Sequence, residues 1–306
     1  MADTTQAPAT PLAVRDYFAA LRALRAHQWV KNVLVLVPVV LDHRLSDVPI
    51  VTRGLAAFVA FCLAASGAYI LNDLLDVHAD RAHPTKRHRP FASGTLGAGF
   101  GWALAPLLLA DALLLAATLG SRQFLGLLLL YVVTTTAYSV FLKQVAVLDV
   151  LLLAGLYTLR LLAGIAATGV TFSSWLLAFS TFLFLSLAFL KRYAELTAHV
   201  AGEQEPLKRR GYQRRDREWL GAMGGASGYL SVLVLALYVN SDEVIRLYRS
   251  PLLLWLICPL LLYWTGRMWL LAYRGQIHED PIVATVRDPV SYLIGLLVAL
   301  VLVLAL

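Results

Sequence analysis

The feature that most constrains this chain is a series of apolar stretches that recur along nearly its whole length. A helix needs ~20 mostly apolar residues to cross a bilayer core, and only helices or closed barrels satisfy the backbone there. With 59% hydrophobic residues and a mean hydropathy of +0.70, a water-soluble fold would have no place for this surface. We predict an all-α polytopic membrane protein with about nine transmembrane helices, near residues 29–43, 54–73, 98–119, 123–142, 146–169, 173–190, 221–240, 251–272 and 290–306.

The region before the first predicted span differs from the rest of the chain. Residues 1–28 are interpreted as a cytoplasmic segment, and the first twelve residues lack the basic start, apolar centre and cleavage site of a secretory signal. Within it, Val14 to Ala26 predicts an amphipathic helix that carries three arginines on the membrane surface. Residues 29–306 are expected to form one transmembrane catalytic domain.

Basic residues are distributed unequally between the two sides of the predicted membrane domain. Nineteen of the 26 Lys and Arg residues fall on the side of the N-terminus, five on the other side and two within helices. The positive-inside rule therefore predicts a cytoplasmic N-terminus and an outward C-terminus in the inner (cytoplasmic) membrane. The richest inside loops, residues 74–97 and 191–219, are where we expect the active site.

The distribution of the net charge of +7 and the positions of the two cysteines argue against a nucleic-acid-binding protein, a disulfide-bonded protein and a zinc protein. The basic residues form no continuous stripe and no nucleic-acid motif, so no nucleic-acid partner is expected. Cys62 and Cys258 lie inside apolar runs without the spacing of a zinc site, and disulfide or zinc interpretations have little support.

Three carboxylates stand where the second predicted span ends. Asp73, Asp76 and Asp80 are separated by three and four residues, which places them on one face of a continuous helix. Acids so close repel one another unless a cation neutralises them, and hard oxygen ligands favour Mg²⁺. The alternative is a solvated helix end whose acids pair with the Arg and Lys residues that follow. Acids at an apolar span more often mark function, so we predict these three as catalytic metal ligands.

The loop after the acids is strongly basic. Lys86, Arg87 and Arg89 have the charge to hold the side of a phosphate that faces away from a metal. A positive-inside anchor would also explain them in isolation. We predict that they bind substrate together with Asn72, which directly precedes the first acid.

Other polar residues fall at the same predicted depth. Lys31, Asn32, Tyr138 and Lys143 could each be interfacial anchors, but their convergence on one side favours a role in substrate binding. Arg160 lies within a predicted span, where its burial demands either a structural carboxylate or the substrate as its partner.

The sixth predicted span ends in a mixed group of charges. Lys191, Arg192 and Glu195 are candidate substrate-binding residues, and a simple pair between Lys191 and Glu195 is the alternative. Single polar residues inside other apolar runs have no assignable partner and stay outside the predicted site: Asp111, Asp149 and Arg267.

These motifs resemble the UbiA superfamily of intramembrane prenyltransferases over essentially the whole chain. The family signature NDxxDxxxD is matched by Asn72, Asp73, Asp76 and Asp80, and the following loop contains Arg89-Pro90. Further similarities are Tyr138 with Lys143, and Arg160 followed by Ala163-Gly164. The resemblance implies a UbiA-like helical bundle that uses Mg²⁺ to bind a diphosphate.

The chain departs from the family where a second acidic signature, DxxxD, is usual. Its place is taken by Lys191-Arg192-Tyr193-Ala194-Glu195. With the HQWVKN motif at 27–32 and the HEDPIVATVRD segment at 278–288, this is similar to the decaprenyl-phosphate phosphoribosyltransferase branch. That resemblance implies phosphoribosyl pyrophosphate as donor and a polyprenyl phosphate as acceptor. Prenyl transfer to an aromatic or other acceptor, and lipid or small-molecule transport, are the alternatives. The oligomeric state stays open, with a homo-oligomer among the options.

Overall fold

The computed structural model describes residues 12–82, 86–171, 173–198, 211–277 and 280–306, which form helices and turns with no β-strand among them. The predicted all-α class is confirmed. The α-helices are α1 (Leu12–Leu24), α2 (Val37–Leu41), α3 (Val48–Leu75), α4 (Val77–Arg81), α5 (Ala98–Thr118), α6 (Arg122–Val140), α7 (Leu148–Thr168), α8 (Ser174–Ala198), α9 (Asp216–Val239), α10 (Asp242–Leu247), α11 (Ile257–Tyr273), α12 (Pro281–Arg287) and α13 (Pro289–Ala305). The 3₁₀ helices are Ala26–Val35, Lys86–His88, Leu142–Gln144 and Pro251–Leu256.

The number of membrane-crossing helices differs from the prediction. Within the described ranges, seven helices are long and apolar enough to span a bilayer, and α12 with α13 makes an eighth if this bent pair counts as one span. The predicted nine are therefore not confirmed. The difference lies at 29–43, which forms no long helix and instead contains the 3₁₀ helix Ala26–Val35 followed by the short α2.

Local chemistry explains why 29–43 is not a regular span. Arg25 has a left-handed backbone (φ 52°) that ends α1. Pro38, near the start of α2, has no N–H to continue a helical ladder from the preceding turn. Lys31 and Asn32 are buried between these breaks, where their polar groups contact other polar residues of the protein. This segment therefore places polar side chains in the interior of the protein.

The long helix α3 is central to the N-terminal half of the bundle. It packs against α5, α6, α7 and the first 3₁₀ helix, and its buried face is rich in alanine and glycine, which allow close approach. The helix ends at Asp76, whose backbone (φ −93°, ψ 5°) leaves the helical range before α4 begins. α1 also packs on α3, burying Ala19 and Ala23. The division into 1–28 and 29–306 stays a prediction.

A glycine in α7 allows the first 3₁₀ helix to approach closely. A Cβ at Gly164 would lie 2.1 Å from the carbonyl oxygen of Val35, so any larger residue would push the two segments apart. The contact seats the 3₁₀ helix against α7, one turn beyond Arg160. Asn32 and Arg160 meet as a result.

The C-terminal part of the chain brings a short helix to the same region. α12 contacts both α8 and the first 3₁₀ helix, and the chain then bends by 83° into α13. Asp288 lies at this bend, accepts two hydrogen bonds from Arg267, and caps α13 through Ser291. Asp288 is therefore the partner of Arg267.

Candidate functional site

Two of the three predicted acids lie together and the third lies apart. Asp73 and Asp80 are 2% and 3% exposed and accept hydrogen bonds from the same Arg89 nitrogen, at 3.0 and 2.6 Å. Asp76 is more exposed and bonds to Lys143 at 3.3 Å. The expectation of one continuous helical face is wrong, because α3 ends at Leu75 and the backbone turns at Asp76. We call Asp73 and Asp80 the acid pair.

Arginines from two distant parts of the chain neutralise the acid pair. Arg25 bonds to Asp73 at 2.5 Å, while Arg89 reaches both acids. The amphipathic pattern of residues 14–26 predicts Arg25 on the membrane surface, whereas the structure places its guanidinium against Asp73. Asn72 is half-buried directly before Asp73, and Arg87 in the 3₁₀ helix Lys86–His88 donates to His88. His83, Pro84 and Thr85 of the basic loop lie outside the described residues.

The acid pair has the chemistry of a divalent-cation site. A positively charged nitrogen of Arg89 sits between two buried carboxylates, which is where a cation with hard oxygen ligands would be stabilised. Among the described residues, no group of three His, Cys, Asp or Glu side chains is arranged as a ready-made metal site. The donor set fits Mg²⁺, which takes one or two carboxylates together with phosphate oxygens. The metal role of Asp73, Asp76 and Asp80 stays a prediction.

A second cluster includes Lys31 of the first 3₁₀ helix. The Asp280 carboxylate accepts hydrogen bonds from Lys31 at 2.7 Å and from Lys191 at 2.8 Å, both on Oδ2. The Tyr157 hydroxyl lies 3.5 Å from Oδ1. Burial alone would raise the pKa of Asp280, but the ammonium groups of Lys191 and Lys31 outweigh it and hold that pKa well below its usual range. We call Lys31, Lys191 and Asp280 the lysine cluster.

Arg160 is buried without a carboxylate partner among the described residues. Its guanidinium donates to Asn32 at 2.9 Å, to the Leu156 carbonyl at 2.5 Å and to the Tyr131 hydroxyl at 3.2 Å. It also lies over the rings of Tyr131 and Tyr157. The two predicted partners of Arg160 are a structural carboxylate and the substrate. No such carboxylate contacts it among the described residues. Its positive charge adds to that of the lysine cluster, which favours an anionic ligand.

Arg192 belongs to a separate, fully paired network. It is 2% exposed and donates to Asp149, to Glu195 at 2.5 Å and to the Tyr138 hydroxyl at 2.6 Å. Tyr212 also donates to Asp149, at 2.7 Å. The structure thus gathers three predicted substrate-binding residues, Tyr138, Arg192 and Glu195, in a network that is saturated by internal partners. Their role in binding stays a prediction, and the simple Lys191–Glu195 pair is replaced by Arg192–Glu195.

Three residues of these clusters, Arg25, Asp149 and Asp280, are not among the site residues that the sequence predicts. Arg25 follows the pattern of a surface arginine in an amphipathic helix, and Asp149 is a single acid with no partner that its sequence neighbours indicate. Asp280 belongs to the HEDPIVATVRD segment, which points to it only through the resemblance to the phosphoribosyltransferase branch. Its neighbours His278 and Glu279 lie outside the described residues. Asp280 is 249 residues from Lys31 and 89 from Lys191, so no local spacing could have joined them.

Two cavities lie next to these clusters. A polar cleft of about 290 Å³ between the first 3₁₀ helix and α12 is lined by His27, Gln28, Asp280, Val283 and Arg287. An apolar groove of about 330 Å³ lies among α6, α7 and α8, with leucines as its main lining. Tyr157 and Arg160 project from α7 beside the groove residues Thr158 and Leu159. The two cavities therefore differ in chemistry, because the cleft is mainly polar and the groove is mainly apolar.

The sequence matches the family described as the UbiA prenyltransferase family over residues 43–201, which is about half of the chain. This chain belongs to the UbiA prenyltransferase family. The match contains the acid pair, Arg160 and Lys191 but ends before Asp280 and begins after Lys31. With its apolar helices, family membership identifies the chain as an integral membrane protein.

The chain is also similar to individual proteins, to some over nearly its whole length and to others over little more than half of it. The chain is 38% identical over 303 residues to the uncharacterized protein y4nM of Sinorhizobium fredii, covering 98% of this chain and 58% of that protein. It is 36% identical to the nodulation protein NoeC of Azorhizobium caulinodans over 91% of both chains. A decaprenyl-phosphate phosphoribosyltransferase of Mycolicibacterium smegmatis is 38% identical over 58% of this chain and 56% of that protein. The chain thus spans little more than half the length of the first and third of these relatives.

Solved structures agree on the fold. A UbiA homolog from Archaeoglobus fulgidus bound to GPP and Mg²⁺ superposes with a TM-score of 0.68, at 17% identity, over 93% of this chain and 98% of that one. A structure described as concerning digeranylgeranylglyceryl phosphate synthase gives 0.64 at 15% identity, over 95% and 98% of the two chains. The UbiA-like helical bundle is confirmed.

Proposed function

We propose that this protein is an intramembrane transferase that moves a 5-phosphoribosyl group from phosphoribosyl pyrophosphate to a polyprenyl phosphate. In this proposal the acid pair and its arginines handle the diphosphate that leaves. The lysine cluster and Arg160 handle the phosphate of the lipid that attacks. The two charged clusters, which the first 3₁₀ helix joins, therefore bind different phosphate groups: one binds the leaving diphosphate and the other binds the attacking lipid phosphate.

The observation that carries the proposal is the difference in charge between the two clusters. Asp73 and Asp80 are balanced by Arg25 and Arg89, so bound Mg²⁺ and diphosphate would replace one set of ion pairs with another. Lys31 and Lys191 share a single carboxylate, and Arg160 adds a further positive charge nearby. A site with surplus positive charge stabilises an anionic nucleophile, whereas a neutral aromatic acceptor would leave that charge unpaired.

The reaction follows from these residues. A lipid phosphate oxygen forms a bond to C1 of the ribose while the bond from C1 to the diphosphate oxygen breaks, and the diphosphate leaves with that electron pair. Arg25 and Arg89 offset the negative charge that grows on the leaving group, and Lys31 with Lys191 orients the attacking phosphate. Mg²⁺ bound by the predicted ligands would add Lewis-acid stabilisation of the diphosphate. The phosphate is already anionic at neutral pH, so no general base is required.

The relatives support this choice of substrates. Three decaprenyl-phosphate phosphoribosyltransferases from different species are 37–38% identical to this chain over 58–64% of its length. The second candidate is prenyl transfer from a prenyl diphosphate, which the structural likeness to a UbiA homolog bound to GPP and Mg²⁺ favours. The polar cleft beside Asp280 is less suited to an isoprenoid chain than to a phosphorylated sugar.

The test offers both kinds of donor to the purified protein. Phosphoribosyl pyrophosphate and geranyl diphosphate are supplied with Mg²⁺, a polyprenyl phosphate and an aromatic acceptor, and products are identified by mass spectrometry. We expect a phosphoribosyl polyprenyl phosphate product, formed in detergent without any gradient. Consumption of geranyl diphosphate alone would establish the second candidate and overturn the first, while transport without a product would overturn both.

The proposal also includes an active site on the cytoplasmic side of the inner membrane. Cys62 and Cys258 are both buried, so an impermeant thiol reagent has little native background. A cysteine at exposed Ser93, in the loop after α4, should be labelled only from the cytoplasmic side. A cysteine at exposed Leu45, before α3, is the matched control and should be labelled only from outside. The reverse pattern would invert the topology.

A further inference from the structure

The polar cleft beside Asp280 has a lining that differs from the rest of the molecule. Of its five lining residues only Val283 is apolar, whereas most residues around the other cavity are leucine or alanine. His27 and Arg287 are exposed at the rim, Val283 is buried, and the Asp280 side chain is 8% exposed. Because polar groups removed from water without a partner cost free energy, this cleft is suited to water or a polar ligand.

The lining offers a combination of groups that suits a phosphorylated sugar. His27 and Gln28 can both donate and accept hydrogen bonds, as hydroxyl groups require. Arg287 can form a bidentate contact with a phosphate. Asp280 at the floor keeps its negative charge and holds two ammonium groups beside the cleft. An isoprenoid tail would find almost no apolar surface here.

The position of the cleft connects it to the acid pair. Arg25, which bonds to Asp73, immediately precedes the 3₁₀ helix that carries His27 and Gln28 in the cleft. Lys31 of the same helix bonds to Asp280. At about 2 Å of rise per residue, Arg25 and Lys31 are separated by roughly 12 Å along the helix. One ligand could therefore contact the acid pair with one end and the cleft with the other.

We propose that this cleft, lined by His27, Gln28, Asp280, Val283 and Arg287, binds the ribose 5-phosphate end of the donor. The inference rests on the proposed function and deepens it, because it names the residues that select a phosphoribosyl donor. The terminal phosphate contacts Arg287 and His27, and the ribose hydroxyls contact Gln28. The diphosphate end then extends along the 3₁₀ helix to the acid pair.

The test uses two fragments of the donor as separate probes. Binding of ribose 5-phosphate and of inorganic pyrophosphate with Mg²⁺ is measured by calorimetry on the full chain in nanodiscs. Arg287→Ala should weaken ribose 5-phosphate binding about ten- to hundredfold and leave pyrophosphate binding unchanged. Gln28→Ala should weaken the same probe less, by about three- to tenfold. Asp73→Asn should show the opposite selectivity, and Arg287→Lys should restore part of the affinity.

The control variant is Arg274→Ala, which removes an exposed arginine at the end of α11 that does not line the cleft. It should leave both probes unchanged. If the wild type makes the phosphoribosyl product but Arg287→Ala binds ribose 5-phosphate as tightly as Arg274→Ala, the cleft assignment is wrong and the function stands. If the wild type binds no ribose 5-phosphate and makes no such product, the proposed function itself fails.

Discussion

The acid pair contacts Arg25, directly before the first 3₁₀ helix, and the lysine cluster includes Lys31 within it, but the two clusters differ in how their charges are matched. In the acid pair, two carboxylates meet two guanidinium groups. In the lysine cluster, two ammonium groups share one carboxylate. The first arrangement can exchange its arginine contacts for a metal and a diphosphate, while the second retains positive charge for an incoming anion. The two clusters therefore have different predicted roles because their net charges differ, although both consist of polar residues.

The neighbours Lys191 and Arg192 show the same contrast within one helix. Successive residues of an α-helix point about 100° apart, so these two cations face different surroundings. Lys191 is partly exposed and bonds to Asp280, whereas Arg192 is buried among Asp149, Glu195 and Tyr138. We therefore expect Lys191 to act on substrate and Arg192 to act on stability.

The largest effect is expected at the acid pair. Asp73→Asn removes a charge that Arg25 and Arg89 neutralise and that a metal would need, so kcat should fall about 10²- to 10³-fold. The measurement is turnover of phosphoribosyl pyrophosphate by the purified protein. Asp111→Asn, which changes an exposed acid in α5, is the control. Wild-type turnover in Asp73→Asn would remove the acid pair from the mechanism.

Removal of Arg192 tests the buried network. Arg192→Ala leaves Asp149 buried without its cation, and breaking a buried ion pair in this way costs about 3–5 kcal/mol of unfolding free energy. Thermal unfolding in detergent should show a large loss of stability, and Arg249→Ala, at an exposed position near α10, should show little. A stable Arg192→Ala protein with poor substrate binding would contradict the structural role.

Removal of Lys191 should give the complementary result. Lys191→Ala takes away one charge-assisted contact to the lipid phosphate, so KM for the polyprenyl phosphate should rise about tenfold or more. Stability should change much less than in Arg192→Ala, because Lys31 still pairs with Asp280. Steady-state kinetics with each substrate varied in turn would check this. An unchanged KM for the lipid would assign Lys191 to structure alone.

The smallest effect concerns the pH dependence of stability at Asp280. Its pKa is held below the usual value, so its pairing stabilises the folded protein above about pH 4 and is lost as the pH falls through the lowered value. The difference in unfolding temperature between wild type and Asp280→Asn should be constant from about pH 5 to 6. It should shrink below about pH 4. A difference that grew on acidification would contradict the sign of this shift.

Much of the fold followed from apolar length, because a bilayer leaves few alternatives to helices. Eight of the nine predicted spans correspond to observed helices or to the bent pair. The exception, 29–43, has enough apolar residues for a short span, yet Pro38 and the buried pair Lys31 and Asn32 prevent a regular one. Its tertiary role depends on contacts with α7 and α12, which local composition does not encode.

The candidate site was predictable only where its residues are close in sequence. Asp73 and Asp80, seven residues apart, lie together as their spacing indicated, although the helix breaks between them. Asp280 joins lysines that are distant in the chain, and only the packing of α12 on α8 brings it there. The burial of Arg192 could not be read from sequence either, because the run Lys191-Arg192 does not tell which cation faces the core.

The central claim is that the leaving diphosphate and the attacking phosphate occupy different clusters. A structure of the protein with Mg²⁺, inorganic pyrophosphate and a short-chain polyprenyl phosphate would test it directly. We expect the pyrophosphate at Asp73 and Asp80 beside Arg25 and Arg89, and the lipid phosphate within hydrogen-bonding distance of Lys31 and Lys191. Both phosphate groups bound at the acid pair, with the lysine cluster still closed on Asp280, would contradict the account.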